Sequence, residues 1–239
     1  MSEIAPYMTS RDGFLLGVSK MELLTKFRNL VLATVLFAGS FPFSVFSVKA
    51  NSFEDGLAAL HKGDYKTALD LWKPLADAGD SHAQYNLGLM YENGLGVTQD
   101  YTQAIRWTKL AAEQGDPEGQ YNLGLMFQNG IGVAPDIHEA LKWFSLAADQ
   151  GSDFAQNILG VMYVSGQGVQ QDFKIAAKWF GLASQSGNSK AQNNLGRLYE
   201  TGNGVNQDFD AAFSQYKLAA VQGNTMAQIN LGSLYESGK

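Results

Sequence analysis

The sequence has no cysteine among its 239 residues, and it has only 5 prolines and 3 histidines. The absence of cysteine excludes a disulfide framework, a thiolate metal site and a cysteine nucleophile. The histidines, His61, His82 and His138, lie far apart, and no pair has the i, i+4 spacing of a helical metal site. We therefore expect no bound metal and no cofactor.

Basic residues are also scarce, with 17 lysines and arginines against 23 aspartates and glutamates and a net charge of −6. The first fifty residues hold five basic and three acidic residues, which leaves a net charge of −8 on residues 51–239. Such a surface offers no basic track for a phosphate backbone, and anionic lipid head groups repel it. The composition disfavours nucleic acid and favours a protein or glycan partner.

The N-terminal region contains an uncharged run at residues 30–46, preceded by Lys26 and Arg28. This order is typical of a secretory signal peptide. The run has about 17 residues and contains Pro42, whereas a membrane-spanning helix needs about 20 apolar residues. A cleavable signal is therefore favoured, and an uncleaved signal anchor is the alternative.

Residues 48–50 resemble a signal-peptidase site, with Val48 and Ala50 at the −3 and −1 positions. We expect cleavage after Ala50 and a translation start at Met21. The mature protein would then have no integral membrane span and would lie in the bacterial periplasm or outside the cell.

The chain repeats itself every 36 residues without gaps, in copies that begin at Gly79, Gly115, Gly151, Gly187 and Gly223. Each copy has two apolar segments of helical period around a glycine-rich loop, which predicts a first helix and a second helix. One such pair cannot bury its apolar face alone, so the copies must stack. We predict an all-α fold, a right-handed α-solenoid of stacked helix-loop-helix repeats.

This period divides the chain into units. The leader occupies residues 1–50, and a shortened helical unit at 51–78 caps the N-terminal end. Complete repeats occupy 79–114, 115–150, 151–186 and 187–222, and residues 223–239 hold a first helix only. That last helix would leave Leu231, Leu234 and Tyr235 uncovered. A truncated reading frame, a final single helix and self-association through this uncapped helix are three explanations.

Glycine and aspartate mark the helix ends within each copy. Gly94 and its equivalents suit the left-handed conformation that ends a helix. Asp100 and its equivalents begin the second helix, and Gln103 and Glu139 complete a predicted capping box in two copies. Gly88 recurs inside the first helix, where we expect a neighbouring helix to press close.

The second helix of the first copy has Ala104, Trp107 and Leu110 on its predicted apolar face. Trp107 recurs at Trp143 and Trp179, and core packing is its simplest role. The paired loop glycines are predicted connectors rather than phosphate-binding loops, since they follow helices and lack the lysine of a nucleotide loop.

The segments AQYNLGLMYENGLGV and QDYTQAIRWTKLAAEQG resemble the Sel-one-like repeat, a longer-looped relative of the tetratricopeptide repeat. The resemblance covers residues 53–239. It implies an adaptor function, and many bacterial members of the family are exported. A cysteine-rich subset is cross-linked by disulfides, and this chain departs from that subset.

The tetratricopeptide resemblance implies that positions 82, 85, 86, 89 and 93 of the first helix, with their equivalents, face an inner groove. The candidate groove residues are Asn86, Asn122, Asn194, Asn230, Tyr85, Tyr121, His82, Glu118, Phe154, Lys190, Leu89, Leu125 and Arg197. The asparagine row, interrupted by Ile158, could hold the main chain of an extended peptide. The alternative is that it organises the stack and touches no ligand. Specificity would then come from the variable positions, which include Asn157 and Asn193.

The groove has an apolar N-terminal half around Tyr121 and Leu125 and a basic C-terminal half around Lys190 and Arg197. A ligand with one apolar end and one acidic end suits this arrangement. We predict a non-enzymatic, exported scaffold that binds a protein or extended peptide in this groove, in envelope regulation or host interaction. The alternative is a cell-wall protein that binds or hydrolyses peptidoglycan, with carboxylates drawn from Glu92, Glu118 and Glu200.

Overall fold

The computed structural model describes residues 43–238, with side chains from residue 52 onward. The predicted start at Met21 and most of the predicted signal peptide lie outside the described residues. The first helix begins at Phe43 and continues past the expected cleavage point after Ala50. None of the described helices is both long and apolar enough to cross a membrane.

The described residues form eleven α-helices and no strand, and every helix after the first has 13 residues. The helices are α1 Phe43–Lys62, α2 Tyr65–Asp77, α3 Ser81–Asn93, α4 Tyr101–Glu113, α5 Pro117–Asn129, α6 Ile137–Asp149, α7 Asp153–Ser165, α8 Phe173–Gln185, α9 Ser189–Thr201, α10 Phe209–Val221 and α11 Thr225–Ser237. The chain divides into two compact units, one ending at Gln99 and one beginning at Asp100. The first unit contains α1 to α3, and the second contains α4 to α11.

In the first unit, α2 packs against both α1 and α3. Trp72 of α2 is fully buried, and its ring lies directly against Gly56 of α1. Its indole N–H donates to the carbonyl of Phe53 at 3.2 Å. The absence of a side chain at Gly56 therefore makes room for the largest side chain of this unit's core.

The second unit is a continuous series of antiparallel neighbours, in which each helix from α5 to α10 packs against the helix before it and the helix after it. The first helices of the repeats are α5, α7, α9 and α11, and the second helices are α4, α6, α8 and α10. At about 1.5 Å per residue, a helix of 13 residues is about 20 Å long. Successive repeats therefore stack helices of equal length. This arrangement is the all-α solenoid that the periodicity predicts.

The predicted helix ends are confirmed. α5 ends at Gly130, which has φ of 73° in the left-handed region. Asp136 begins α6, and its carboxylate accepts from the N–H groups of His138 and Glu139 at 2.9 and 3.1 Å. These two caps satisfy backbone groups that the helix itself leaves unpaired.

The capping box predicted at Glu139 is wrong. The N–H of Asp136, which the Glu139 carboxylate would have to accept from, donates to the carbonyl of Phe127 at 2.8 Å. The Glu139 carboxylate instead lies 3.5 Å from the Lys142 ammonium. The loop folds back on α5, so the Phe127 carbonyl near the end of α5 accepts the hydrogen bond from the Asp136 N–H.

The glycine inside α5, α7 and α9 makes room for a ring of the second helix that follows. A Cβ on Gly124 would lie 2.7 Å from the Phe144 ring, and one on Gly196 would lie 2.7 Å from the Tyr216 ring. Phe144 and Tyr216 are fully buried. The predicted close approach is therefore confirmed for these three helices, whereas no atom lies within 4 Å of a Cβ on Gly232 in α11.

A buried glutamine row was not recognised in the sequence. The side-chain amides of Gln120, Gln156 and Gln192 donate to carbonyls at the end of the preceding second helix, at 3.3, 3.1 and 3.3 Å. Each of these carbonyls also accepts from the N–H of the glycine three residues later, in the turn that ends the helix. The recurrence of glutamine every 36 residues could have revealed this row.

The predicted core role of Trp143 is confirmed, since it is buried with Ala112 and Leu123. Leu110, predicted on the apolar face of the second helix in the first copy, is half-buried. Its equivalents Leu146, Leu182 and Leu218 are 41%, 45% and 48% exposed. The stack buries the alanines that follow these leucines, and this turns the leucine position outward.

Candidate binding face on the first helices

In the first unit, the candidate residues lie on α3. His82 is exposed, and its ring lies 6.1 Å from the Phe53 ring in an edge-on arrangement. Tyr85 and Leu89 are half-buried. Asn86 is buried, and its side-chain amide donates to the His82 carbonyl at 2.9 Å. This Asn86 donor is therefore bonded inside its own helix.

In the second unit, the candidates begin on α5. Glu118 is exposed in the first turn of the helix, and Tyr121 and Asn122 are half-buried. Leu125 is buried in the core cluster that includes Ile158 of α7. Only the first part of α5 therefore presents candidate side chains to solvent.

Two candidate residues that occupy different positions of the repeat are in contact through their rings. The rings of Tyr121 on α5 and Phe154 on α7 have centroids 5.9 Å apart, and Tyr121 also lies 6.0 Å from Phe144. Tilted aromatic pairs at this separation attract one another. The half-exposed rings of Tyr121 and Phe154 form one apolar surface across two repeats.

The hydroxyl of Tyr121 is held in its neutral form. Burial, followed by the negative charge of Asp153, raises the pKa of Tyr121 above its usual range. The Asp153 carboxylate itself accepts from the side-chain amide of Asn188 at 3.0 Å. The aromatic surface therefore carries a neutral phenol beside an oriented carboxylate.

Asparagine pairs join the next first helices. The side-chain amide of Asn194 on α9 donates to the side-chain carbonyl of Asn157 on α7 at 3.1 Å. Asn230 on α11 donates in the same way to Asn193 on α9 at 2.9 Å. Both bonds join neighbouring repeats and support a role of the asparagine row in organising the stack.

The basic side chains lie on α9. Lys190 is exposed and Arg197 is half-buried, and their spacing of seven residues places them on one face of the helix, with Asn194 between. Along the second unit, an aromatic surface on α5 and α7 is thus followed by a basic surface on α9. The change from apolar to basic along a ligand-binding groove stays a prediction.

Five consecutive segments of the chain match the Sel1 repeat, at residues 81–116, 117–152, 153–188, 189–224 and 225–239. The chain belongs to the Sel1 repeat family. Sel1-repeat solenoids are generally non-enzymatic scaffolds for protein interaction. The resemblance stated from the sequence is therefore confirmed.

Solved structures show the same Sel1 fold. A protective antigen present in uropathogenic Escherichia coli strains, which displays an SLR fold, is 36% identical over 82% of this chain and 43% of its own, with a TM-score of 0.75. A Sel1 repeat protein from Oxalobacter formigenes is 39% identical over 71% of this chain and 50% of its own, with a TM-score of 0.68. The chain thus spans half or less of the length of these two proteins. No curated protein matches it.

More distant Sel1 relatives share the fold with lower identity. An immunity protein from Pseudomonas aeruginosa is 25% identical over 80% of this chain and 69% of its own, with a TM-score of 0.51.

The glutamates proposed for a cell-wall activity lie on three different helices of this Sel1 chain. Glu92 is on α3 of the first unit, and burial raises the pKa of its carboxyl group. Glu118 is exposed on α5, while the Glu200 carboxylate on α9 accepts from the buried Tyr216 hydroxyl at 2.6 Å. Within the described residues, no group of three or more metal-ligating side chains occurs.

Proposed function

We propose that this Sel1 chain is a non-enzymatic scaffold that binds an extended segment of a partner protein on the first helices of its second unit. One observation carries the proposal: the rings of Tyr121 and Phe154 pair across two first helices, and the exposed Lys190 occupies the position equivalent to Phe154 on the next first helix. The rings suit an apolar side chain, and the ammonium group suits a carboxylate.

The spacing of these helices specifies the ligand further. Packed helices lie about 8–10 Å apart. A polyproline II segment has three residues per turn and gains about 3.1 Å per residue, so residues i and i+3 lie on one side about 9 Å apart. The proposed ligand is an extended segment with an apolar residue followed three positions later by an acidic one.

Affinity capture from an envelope extract tests the proposal. The tagged full chain would be compared with a variant carrying Tyr121→Ala, Phe154→Ala and Lys190→Ala, and circular dichroism would confirm that the variant is folded. Lys217→Ala, which removes an exposed lysine from a second helix, is the matched control. We expect a partner that the control retains and the triple variant loses. A partner retained by both variants would exclude this face.

We further propose that residues 1–50 direct the chain to the periplasm or beyond, where its partner acts in envelope regulation or host interaction. The basic residues and uncharged run of the sequence support this proposal. N-terminal sequencing of the protein from a periplasmic fraction tests it. An N-terminus at Asn51 is expected, and one at Met1 or Met21 would contradict cleavage.

Self-association through α11 is the last part of the proposal. Met226, Ile229 and Tyr235 on this helix are 47%, 59% and 67% exposed, which is unusual for large apolar side chains. Light scattering on the full chain should show a dimer that Tyr235→Ser weakens. A monomer at high concentration would contradict this part alone.

A further inference from the structure

The second helices of the second unit carry an exposed leucine row. Leu110, Leu146, Leu182 and Leu218 occupy the same position in four successive repeats, and the last three are more than two-fifths exposed. Single exposed leucines are ordinary, but an aligned row is a contiguous apolar surface. The scaffold role proposed for the first helices does not use this row.

The row crosses second helices that contact one another through side chains. Trp143 of α6 is buried with Ala112 of α4. In the last repeats, the hydroxyl of Ser184 on α8 donates to the side-chain carbonyl of Gln215 on α10 at 2.7 Å. Because packed helices lie about 8–10 Å apart, the leucines follow one another at about that spacing.

A basic row accompanies the leucines. Arg106, Lys142 and Lys178 precede three of the leucines by four residues, so each lies on the same helix face about 6 Å away. All three side chains are exposed. Arg106 and Lys142 lie over the rings of the tryptophans that follow them, at 5.4 and 5.2 Å from the centroids. These ring contacts hold two of the cations beside the leucine row.

We propose that this double row, defined by the four leucines and three cations, binds an amphipathic acidic α-helix of a partner protein. Seven residues of a helix span about 10.5 Å, close to the leucine spacing, and return to the same face. Acidic residues flanking an apolar stripe would meet the basic row. An extended segment has only one row of side chains on each side. It is therefore too narrow to contact the leucine row and the basic row at the same time.

An anionic membrane surface is the competing occupant of a basic and apolar face. The net charge of −8 on residues 51–239 opposes it. Glu113 and Asp149, which follow Leu110 and Leu146 by three residues, place exposed carboxylates beside the same row. These charges oppose a continuous anionic surface. They favour a discrete acidic partner whose carboxylates align with the cations.

Fluorescence anisotropy tests the proposal with a labelled helical peptide of about three heptads, carrying leucine every seventh residue and glutamate at the flanking positions. A second peptide has lysine in place of each glutamate. The full chain would be compared with a Leu146→Ser, Leu182→Ser, Leu218→Ser variant. The matched control is Tyr101→Ser, which removes an exposed aromatic side chain from the start of α4, outside the leucine row. Thermal unfolding would confirm that both variants fold.

We expect the glutamate peptide to bind, the triple variant to weaken binding by about tenfold or more, and the control to leave it unchanged. Lys142→Ala with Lys178→Ala should also weaken binding and reduce its dependence on salt. The proposal is overturned if the glutamate peptide does not bind, if the lysine peptide binds equally well, or if the triple variant binds normally. Leucine-dependent binding to phosphatidylglycerol vesicles without peptide binding would assign the row to a membrane instead.

Discussion

Asn194 donates its side-chain amide to the side-chain carbonyl of Asn157 at 3.1 Å, across two neighbouring first helices, and both side chains are buried. A buried amide that loses its partner is costly, because water cannot replace the lost bond. The pair therefore ties two repeats together directly beneath the basic surface of α9.

Asn194→Ala is expected to destabilise the protein by about 1–2 kcal/mol, since it leaves the Asn157 carbonyl without this donor. Urea unfolding followed by circular dichroism measures the change. A cycle with Asn157→Ala and the double variant should give a coupling energy well above zero. Independent effects of the two substitutions would contradict the role of the pair in the stack.

Gly124→Ala is expected to cost about 1–3 kcal/mol of stability, because the added methyl group would collide with the buried Phe144 ring. Gly181→Ala is the matched control, since no atom lies within 4 Å of its Cβ and it also lies inside a helix. The control should gain up to about 1 kcal/mol from helix propensity. Equal effects of the two substitutions in thermal unfolding would refute the close approach.

Asp136→Ala is expected to cost about 1 kcal/mol, because two N–H groups at the start of α6 lose their acceptor. Asp136→Asn retains a capping oxygen and should cost less. Glu139→Ala should cost little, since the Glu139 side chain takes no part in the cap. Urea unfolding of the three variants measures these differences, and a large loss for Glu139→Ala would restore the capping box.

Glu92→Gln is expected to stabilise the protein at neutral pH. Burial raises the pKa of Glu92, so folding favours the protonated form. Stability from this group is fully present below its unfolded pKa and is lost as pH rises through the folded pKa. The gain from glutamine should therefore appear at pH 7 and vanish at low pH. A gain independent of pH in urea titrations would contradict the assigned cause.

The helix boundaries could be predicted because their determinants are local. Gly130 and Asp136 cap their helices through residues within a few positions, and such contacts leave a readable spacing. The capping box failed because the Phe127 carbonyl, nine residues before Asp136, reaches the same N–H group. A loop that folds back on its helix leaves no signal in local spacing.

The residues of the candidate face could be predicted from the sequence, but the contacts between them could not. The sequence identifies Tyr121, Phe154 and Asn194, yet the partner of each depends on the offset between stacked helices. Asn194 pairs with Asn157, 37 residues away, rather than with the equivalent position at 36. The outward position of Leu182 likewise follows from which side of α8 the neighbouring helices cover.

Charge reversal at Lys190 tests the proposed binding face most directly. Anisotropy would measure the affinity of the full chain for a proline-rich peptide with leucine and glutamate three positions apart. Lys190→Glu should abolish binding, and a peptide with lysine in place of glutamate should restore it, whereas Lys217→Glu should leave the original peptide bound. Unchanged binding by Lys190→Glu, or a loss that the lysine peptide does not restore, would contradict the account.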